Sequence, residues 1–384
     1  MAFILLLKKS FMIFVFYLNK LYIKIIVFIL CFYFNLKYFS YKKFVKKKIG
    51  VISLSHGDNI GNNLLKYAIF IKLSELGFKP YIVGTHKKNT NIDFINRTTN
   101  LRIIKSDFSE INKKEYDVLI VNSDQTWHRA NKMNRHFYNI AFLKFAKKWK
   151  IRKFTYGVSL GYNYWNFKKE DEIIAKDCLK SFLDISVREK ASINLIERNL
   201  GFKPILVLDP TLLIDKKYYL NIIKNFNDKK LDKDNCLLTY IFLNEKNTKN
   251  FIYKASRELN YTIYDVKKKY KNSIEKFIYG IYNCKAVITN SYHGTIFSII
   301  FNKPFVTFIF KNSPKERLIS LKETLGIKDR IFEYNQIPSI TLLKTPLKIK
   351  DKLIDNLRNI SINYLEKNLG LKNNYLCKFD KRVN

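Results

Sequence analysis

From Lys48 onward, short apolar runs alternate with stretches whose apolar positions recur three and four residues apart. That alternation predicts strand, helix, strand in repeating order, and hence mainly parallel sheets covered on both faces. Ile49–Leu54 reads as a buried strand. Asn63–Leu76 carries apolar side chains at 64, 65, 68, 69, 71, 73 and 76, one stripe of a helix, which Gly77 ends. Pro80–Val83 opens the next strand, and Val118–Val121, Lys153–Val158, Ile185–Val187 and Ile205–Leu208 follow. Asp209-Pro210-Thr211 breaks the pattern, and 215–235 is polar. A second series then begins with strand Cys236–Phe242. It continues through a helix near Asn247–Leu259, strand Thr262–Asp265, helix Ser273–Asn283 and strand Ala286–Thr289. A helix at 295–301, strand Pro304–Phe308 and a covering helix at 315–325 complete it.

The pattern divides the chain into an N-terminal segment 1–47, an α/β domain 48–214 expected on the acceptor side, a second α/β domain 215–345 expected on the donor side and a basic helical tail 346–384. Two α/β units facing a cleft are the expected architecture. Segment 1–47 differs from the rest. Phe11–Leu18 and Ile25–Phe34 are apolar, Lys20 and Lys24 interrupt them, and the basic cluster Lys42–Lys48 follows. No small-residue cleavage site follows the second apolar run, which argues against a removed signal. Each run is shorter than the roughly 20 residues that span a bilayer. The segment is expected to lie at a membrane interface with its lysines reaching the head groups. A spanning helix over 11–36 is the second reading, with Lys42–Lys48 keeping the domains cytoplasmic. An upstream extension ahead of the domain is the third.

The formal net charge is +38, from 70 Lys and Arg against 32 Asp and Glu. Such a surplus suits an anionic partner. The chain is also rich in Lys, Asn, Ile, Phe and Tyr, which AT-rich codons alone would produce. No arginine-rich helix or aromatic-interleaved basic motif points to nucleic acid. Five cysteines stand far apart, at 31, 178, 236, 284 and 377, with no C-x-x-C pair. Neither a disulfide framework nor a structural zinc site is expected, and a reducing compartment fits. The histidines, at 56, 86, 128, 136 and 293, lack metal-ligand spacing.

Ligands of open α/β sheets bind at the carboxyl ends of the strands, and four strand ends carry suitable residues. The first is Ser55-His56-Gly57-Asp58-Asn59-Ile60-Gly61-Asn62-Asn63, a glycine- and asparagine-rich turn into a helix N-terminus, which fits no nucleotide motif. The second is Asn122-Ser123-Asp124-Gln125-Thr126-Trp127. Asp124 and Gln125 could bond sugar hydroxyls, and the Trp127 indole could cover a sugar ring; an Asp cap with a core Trp is the alternative. The third is Ser186-Val187-Arg188-Glu189, where Arg188 could grip a carboxylate or phosphate. An Arg–Glu surface pair is its alternative. The fourth is Thr289-Asn290-Ser291-Tyr292-His293-Gly294-Thr295, where a strand delivers His293 to a helix start. Imidazole can move protons near neutrality, and the positive helix end favours phosphate. Lys311 and Arg317 add positive charge downstream.

The order of these motifs resembles the polysaccharide pyruvyl transferase family over roughly 49–330. Its parts are Asn59-Ile60-Gly61-Asn62-Asn63-Leu64, Tyr116-Asp117 with Ser123-Asp124-Gln125-x-Trp127, Ser186-Val187-Arg188-Glu189, Leu208-Asp209-Pro210-Thr211-Leu212-Leu213, and Ile288–Thr295 continuing into Phe301-Asn302-Lys303-Pro304-Phe305. The resemblance implies two Rossmann-like domains facing a cleft, similar to the two-domain glycosyltransferase B fold. It also implies transfer of a pyruvyl group from phosphoenolpyruvate to a sugar of a cell-surface polysaccharide or its lipid-linked precursor, closing a ketal. His293 matches the family's proposed general acid, Arg188 an arginine on the donor, and Arg317 a downstream basic position. Some members have Arg two residues before the histidine; here Ser291 stands there, in a Ser-Tyr-His-Gly variant.

Taken together, catalysis is expected from His293 and Asp124. Donor binding falls to Arg188, Arg317, Lys311, Ser291 and Gly294, and acceptor binding to Asn59, Asn62, Gln125 and Trp127. No metal or cofactor is called for beyond phosphoenolpyruvate as co-substrate. The expected partners are phosphoenolpyruvate, a free or lipid-linked glycan and the cytoplasmic face of the inner membrane, with no nucleic acid. Two other readings stand beside this one: a two-domain glycosyltransferase with a nucleotide-sugar donor, and a non-catalytic membrane-bound interaction protein of glycan assembly.

Overall fold

A computed structural model describes residues 47–53, 59–85, 92–104, 108–122, 124, 127, 139–228, 235–242, 245–269, 273–311, 314–349 and 351–371. The expectations for segment 1–47 therefore lie almost entirely outside the described residues. Among those described, no helix is long and apolar enough to cross a membrane.

The architecture is α/β with parallel sheets, as the alternation predicts. The first sheet runs in the order β3 (Leu101–Ile104), β2 (Lys79–Thr85), β1 (Lys48–Ile52), β4 (Val118–Val121), β5 (Arg152–Thr155). A short pair, β6 (Ser186–Val187) with β7 (Ile205–Leu206), continues it through bridges Phe154–Asp184 and Val158–Val187. The second sheet has the order β12 (Ile331–Glu333), β11 (Phe305–Ile309), β10 (Ala286–Thr289), β8 (Cys236–Tyr240), β9 (Thr262–Asp265). Each ladder in both sheets is parallel. The central strands β4, β8, β10 and β11 are buried at every position. That explains their largely apolar runs, since a strand covered on both faces has no solvent side to make polar; the exceptions are the buried Thr239, Thr289 and Thr307.

The two sheets share one apolar core. Helix Ile60–Glu75 stands in it with most of its first ten residues buried, the mark of a helix covered all round. Its Tyr67 hydroxyl donates to Tyr218 O at 3.1 Å, tying the first half to helix Lys216–Ile223. The tail is part of this packing. Helix Asp351–Leu369 returns to the first sheet, where the Tyr364 hydroxyl donates to Thr155 O at 2.9 Å and Ser361 Oγ accepts from Leu208 N at 2.9 Å. Residue 208 is thus held from a distance of 153 positions along the chain.

One helix starts earlier than its apolar pattern suggests. It spans Tyr292–Ile300 rather than 295–301. Ser291 caps it, its side chain accepting from Gly294 N at 3.3 Å. His293 therefore lies inside the first turn, not on the loop ahead of it.

Candidate active site

Arg188 follows β6, and its guanidinium is fully buried. Nη1 donates to Asp209 Oδ2 at 2.5 Å, and Nη2 donates to Asp124 Oδ1. Asp124 lies just past the end of β4. Its two oxygens also accept from Nη1 of Arg317, at 3.0 and 2.8 Å. Arg317 belongs to helix Glu316–Thr324, which follows β11. The Tyr292 ring lies against both guanidinium groups, with centroid distances of 5.0 Å to Arg188 and 5.4 Å to Arg317. Cation–π attraction thus adds to the charge-assisted hydrogen bonds. Strand ends of both sheets supply these groups, where open parallel sheets place ligands.

Asp209 extends the chain of charges to the histidine. Its Oδ1 accepts from Thr211 N at 3.0 Å and from Thr211 Oγ1 at 2.6 Å, at the head of the turn Pro210–Leu212. Those bonds aim Oδ2 at Arg188, and the same oxygen is 3.8 Å from His293 Nε2. The line Arg317, Asp124, Arg188, Asp209, His293 is therefore continuous and nearly dry. Asp209 took no part in the site expected from sequence. Its signals were Asp209-Pro210-Thr211 directly after a strand, read there as a pattern break, and its place in the Leu208–Leu213 stretch of the family resemblance.

The imidazole is held from the other half of the molecule. Gly61, in the first turn of helix Ile60–Glu75, packs so closely that a Cβ placed there would be 2.0 Å from His293 Nδ1. Only glycine leaves room for the ring. Gly294 has the same function toward the strand, since a Cβ there would come within 2.4 Å of Thr289 Oγ1. Thr289 Oγ1 donates to Tyr240 O and accepts from Ser291 N, which fixes the turn.

Burial lowers the His293 pKa to about 4; Asp209 and Asp124 oppose the shift, and Arg188 and Arg317 reinforce it. The resting imidazole is therefore neutral at pH 7. This corrects the expectation of a group titrating near neutrality, because the dry packing disfavours the imidazolium. Arg188 is driven the other way. Burial works against its charge, but Asp124 and Asp209 outweigh that and hold it protonated. Among the described residues, Arg188 Nε, Arg317 Nε and His293 Nε2 are buried without a hydrogen-bond partner. Buried polar groups of native proteins are nearly always paired, so three unmatched nitrogens along one line of charges, with Arg188 Nε 3.7 Å from Glu189 Oε1 and His293 Nε2 3.8 Å from Asp209 Oδ2, fit a site built for a further polar ligand. A cavity bordered by Arg188, Asp209 and Tyr292 is about 20 Å³, room for about one water.

Of the residues expected from sequence, the structure brings His293, Arg188, Asp124 and Arg317 together. Lys311 is exposed, and no described contact joins it to the group. Ser291 and Gly294 shape the helix start. Asn59 caps its own helix by accepting from Asn62 N at 3.0 Å; Asn62 is buried with Oδ1 unpaired among the described residues. Gln125 lies outside the described residues. Trp127 is fully buried, stacked on Phe142 at 4.9 Å, and donates from Nε1 to Ala141 O at 3.2 Å. Its indole presents no face to a sugar, so the expectation of an acceptor platform there is corrected to a core residue. Glu189 is no surface partner either. It is buried, and its Oε2 accepts from Leu160 N, Gly161 N and Ser192 Oγ.

The family model for polysaccharide pyruvyl transferases matches residues 59–312. That stretch contains Asp124, Arg188, Asp209 and His293 and stops short of Arg317. No curated protein matches the chain. Among solved structures, the UDP-GlcNAc 2-epimerase from Methanocaldococcus jannaschii aligns at TM-score 0.50 and 13% identity, over 85% of this chain and 100% of that one. The UDP-GlcNAc 2-epimerase from Neisseria meningitidis aligns at 0.49 and 10%, over 84% and 100%. A glycosyltransferase from Rickettsia africae ESF-5 aligns at 0.47 and 13%, over 85% and 98%. At 13% identity the likeness to the first of these is one of fold.

Proposed function

The chain belongs to the polysaccharide pyruvyl transferase family, and on that premise we propose that it moves a pyruvyl group from phosphoenolpyruvate to a hydroxyl pair of a glycan acceptor. The observation that carries this reading is the convergence of Arg188 and Arg317 on one carboxylate, with His293 one carboxylate further along. Phosphoenolpyruvate bears a carboxylate and a phosphate, and such a donor needs fixed, dry cations. Asp124 engages both arginines, as a protein carboxylate standing where a ligand anion would go. The donor therefore takes over the guanidinium groups and releases Asp124 to face the acceptor.

His293, once protonated, gives its proton to C3 of the enol, which becomes a methyl group and leaves C2 electron-poor. One acceptor hydroxyl bonds to C2 and loses its proton to Asp124. The C2–O bond to phosphate breaks, and the second hydroxyl closes the ketal. The proton taken up with the donor ends on C3 by way of His293, the first hydroxyl proton passes from Asp124 to solvent, and the second leaves on hydrogen phosphate. Because the resting imidazole is neutral, donor binding must bring a proton with it. The added negative charge supplies the reason, since anions stabilise the imidazolium. Residues 1–47 would keep the enzyme at the cytoplasmic face of the inner membrane, near a lipid-linked acceptor.

Calorimetry with phosphoenolpyruvate near pH 7, in two buffers of different ionisation enthalpy, tests this directly. Uptake of about one proton is expected, and it should vanish in His293→Gln. Arg188→Ala should lose donor binding. If phosphoenolpyruvate does not bind while nucleotide sugars do, the glycosyltransferase reading replaces this one.

A further inference from the structure

The start of helix Ile60–Glu75 buries a polar group that the mechanism above does not use. Asn59, Asn62, Asn63 and Lys66 recur at helical spacing and so share one face of the helix. A polar face belongs in water, yet Asn62, Asn63 and Lys66 are only 4%, 3% and 7% exposed. Lys66 Nζ donates to Asn63 Oδ1 at 3.3 Å. Asn63 Nδ2 and Asn62 Oδ1 are buried without a hydrogen-bond partner.

Two strand ends face the same helix. Ile49 and Val51 of β1, and Val118 and Ile120 of β4, belong to the core that this helix shares. Both strands run on by one residue, since Ser53 N donates to Val83 O at 3.0 Å and Asn122 N donates to Ile52 O at 3.1 Å. Side chains alternate between the faces of a strand, so Ser53 and Asn122 point toward the helix side. Ile52 pairs with Val121 in register, which sets Ser53 and Asn122 beside each other on strands roughly 5 Å apart. Asn122 Nδ2 donates to Tyr156 O at 2.7 Å, which fixes its Oδ1 as an acceptor. That oxygen and Ser53 Oγ are also buried and unpaired.

Unpaired buried polar atoms are rare singly, and here they gather at one strand-to-helix turn. The positive end of the helix favours an anion there. Lys66 and Asn63 offer N–H donors, Asn122 a fixed acceptor and Ser53 a hydroxyl. Hydrogen phosphate is their complement, because its oxygens accept and its single O–H donates. The cluster also adjoins the site already described. Gly61, in the same helical turn, packs on His293 Nδ1, and Asp124 is two residues from Asn122, at most roughly 7 Å of chain. Asp124 engages Arg188 and Arg317 as a ligand carboxylate would. Phosphoenolpyruvate carries its carboxylate and its phosphate on the same carbon, C2. A donor with its carboxylate at the two arginines therefore has its phosphate within reach of the cluster.

We infer that Ser53, Asn63, Lys66 and Asn122 form the phosphate subsite of the donor and hold the departing hydrogen phosphate. Arg188 and Arg317 are thereby left to the donor's carboxylate. This rests on the pyruvyl transfer reading for the identity of the donor, though not for anion binding. Lys66 Nζ and Asn63 Nδ2 donate to phosphate oxygens. When the C2–O bond breaks and the phosphate takes up the second hydroxyl's proton, the new O–H donates to Asn122 Oδ1. Burial lowers the Lys66 pKa to about 8; a phosphate beside it acts the other way and keeps the ammonium charged.

The test is calorimetry on the full chain with phosphoenolpyruvate, inorganic phosphate and pyruvate as separate probes. Inorganic phosphate is expected to bind the wild type and to compete with phosphoenolpyruvate. Lys66→Met keeps the bulk of the side chain and removes its charge. Asn63→Asp keeps the shape and replaces a donor by a carboxylate oxygen. Each should weaken phosphoenolpyruvate and inorganic phosphate about tenfold or more, since charge-assisted bonds to phosphate carry the affinity. Each should leave pyruvate, which has the carboxylate alone, unchanged, and a thermal melt confirms that the variants fold. Unchanged affinity for inorganic phosphate and phosphoenolpyruvate in both variants overturns the inference and leaves the pyruvyl transfer reading standing. Equal weakening of all three probes also overturns it, because Lys66 and Asn63 would then only shape the site. Phosphate binding that depends on Lys66, without phosphoenolpyruvate binding, keeps the subsite and removes that reading. A wild type that binds neither phosphate nor phosphoenolpyruvate overturns both.

Discussion

The resistance of folded His293 to protonation should be visible as a loss of stability in acid that a neutral replacement escapes. The imidazole has a pKa of about 4 in the fold, against 6.5 for the exposed side chain. Its folded value is depressed, so below 6.5 the unfolded chain takes up a proton that the folded chain refuses. The stability tied to neutral His293 is complete above 6.5 and falls as the pH descends toward 4. The full difference is about 3 kcal/mol. Between pH 7 and about pH 5, where the unfolded imidazole is almost fully charged and the folded one is not, it amounts to about 2 kcal/mol. Urea unfolding of the wild type and His293→Gln at several values across that interval isolates the effect. Every other acid group titrates alike in both proteins, and the constant offset of the substitution cancels. The wild type should lose about 2 kcal/mol more than the variant on going from neutral to about pH 5. Parallel curves would refute the reasoning, since they would mean that the folded imidazole titrates like a free one.

Three further outcomes follow from the same geometry. Asp124→Asn removes the carboxylate that occupies Arg188 and Arg317, so phosphoenolpyruvate should bind more tightly while turnover falls, on the order of 10²-fold if Asp124 takes the acceptor proton; calorimetry and phosphate release measure the two. Gly61→Ala places a methyl group where the Nδ1 edge of His293 lies. It should cost about 1–3 kcal/mol by overpacking and depress turnover more than donor affinity, read from a thermal melt and steady-state kinetics. Trp127→Ala should cost about 3–5 kcal/mol as a core truncation, whereas Trp127→Phe, if it folds, should leave the acceptor KM unchanged.

The alternation of patterns made the strands legible in advance because a strand buried on both faces must be largely apolar. β4 is apolar throughout, and β8 and β10 are apolar but for one buried threonine each. Helix boundaries were less legible. Tyr292 and His293 carry no apolar periodicity of their own, so the start of their helix is seen only through the Ser291 cap. Arg188, Asp124 and His293 were readable because each stands at or just past the end of an apolar strand, where chemistry-bearing residues are conspicuous. Trp127 illustrates the opposite case. An indole past a strand end suits a sugar platform and a core filler equally, and only its stacking on Phe142 decides between them.

By itself, then, the sequence determined the α/β class, the parallel strands and the strand ends from which a site would be built, since these follow from local periodicity. Tertiary structure alone decided that Asp209 stands between Arg188 and His293, that Gly61 closes on the imidazole and that Asp124 occupies two arginines. Arg317 and Asp124 meet across 193 residues, a separation that no local pattern encodes. The imidazole's charge state was decided there as well, because a pKa answers to burial and to neighbouring charges, and both arise only when the two halves of the molecule pack together.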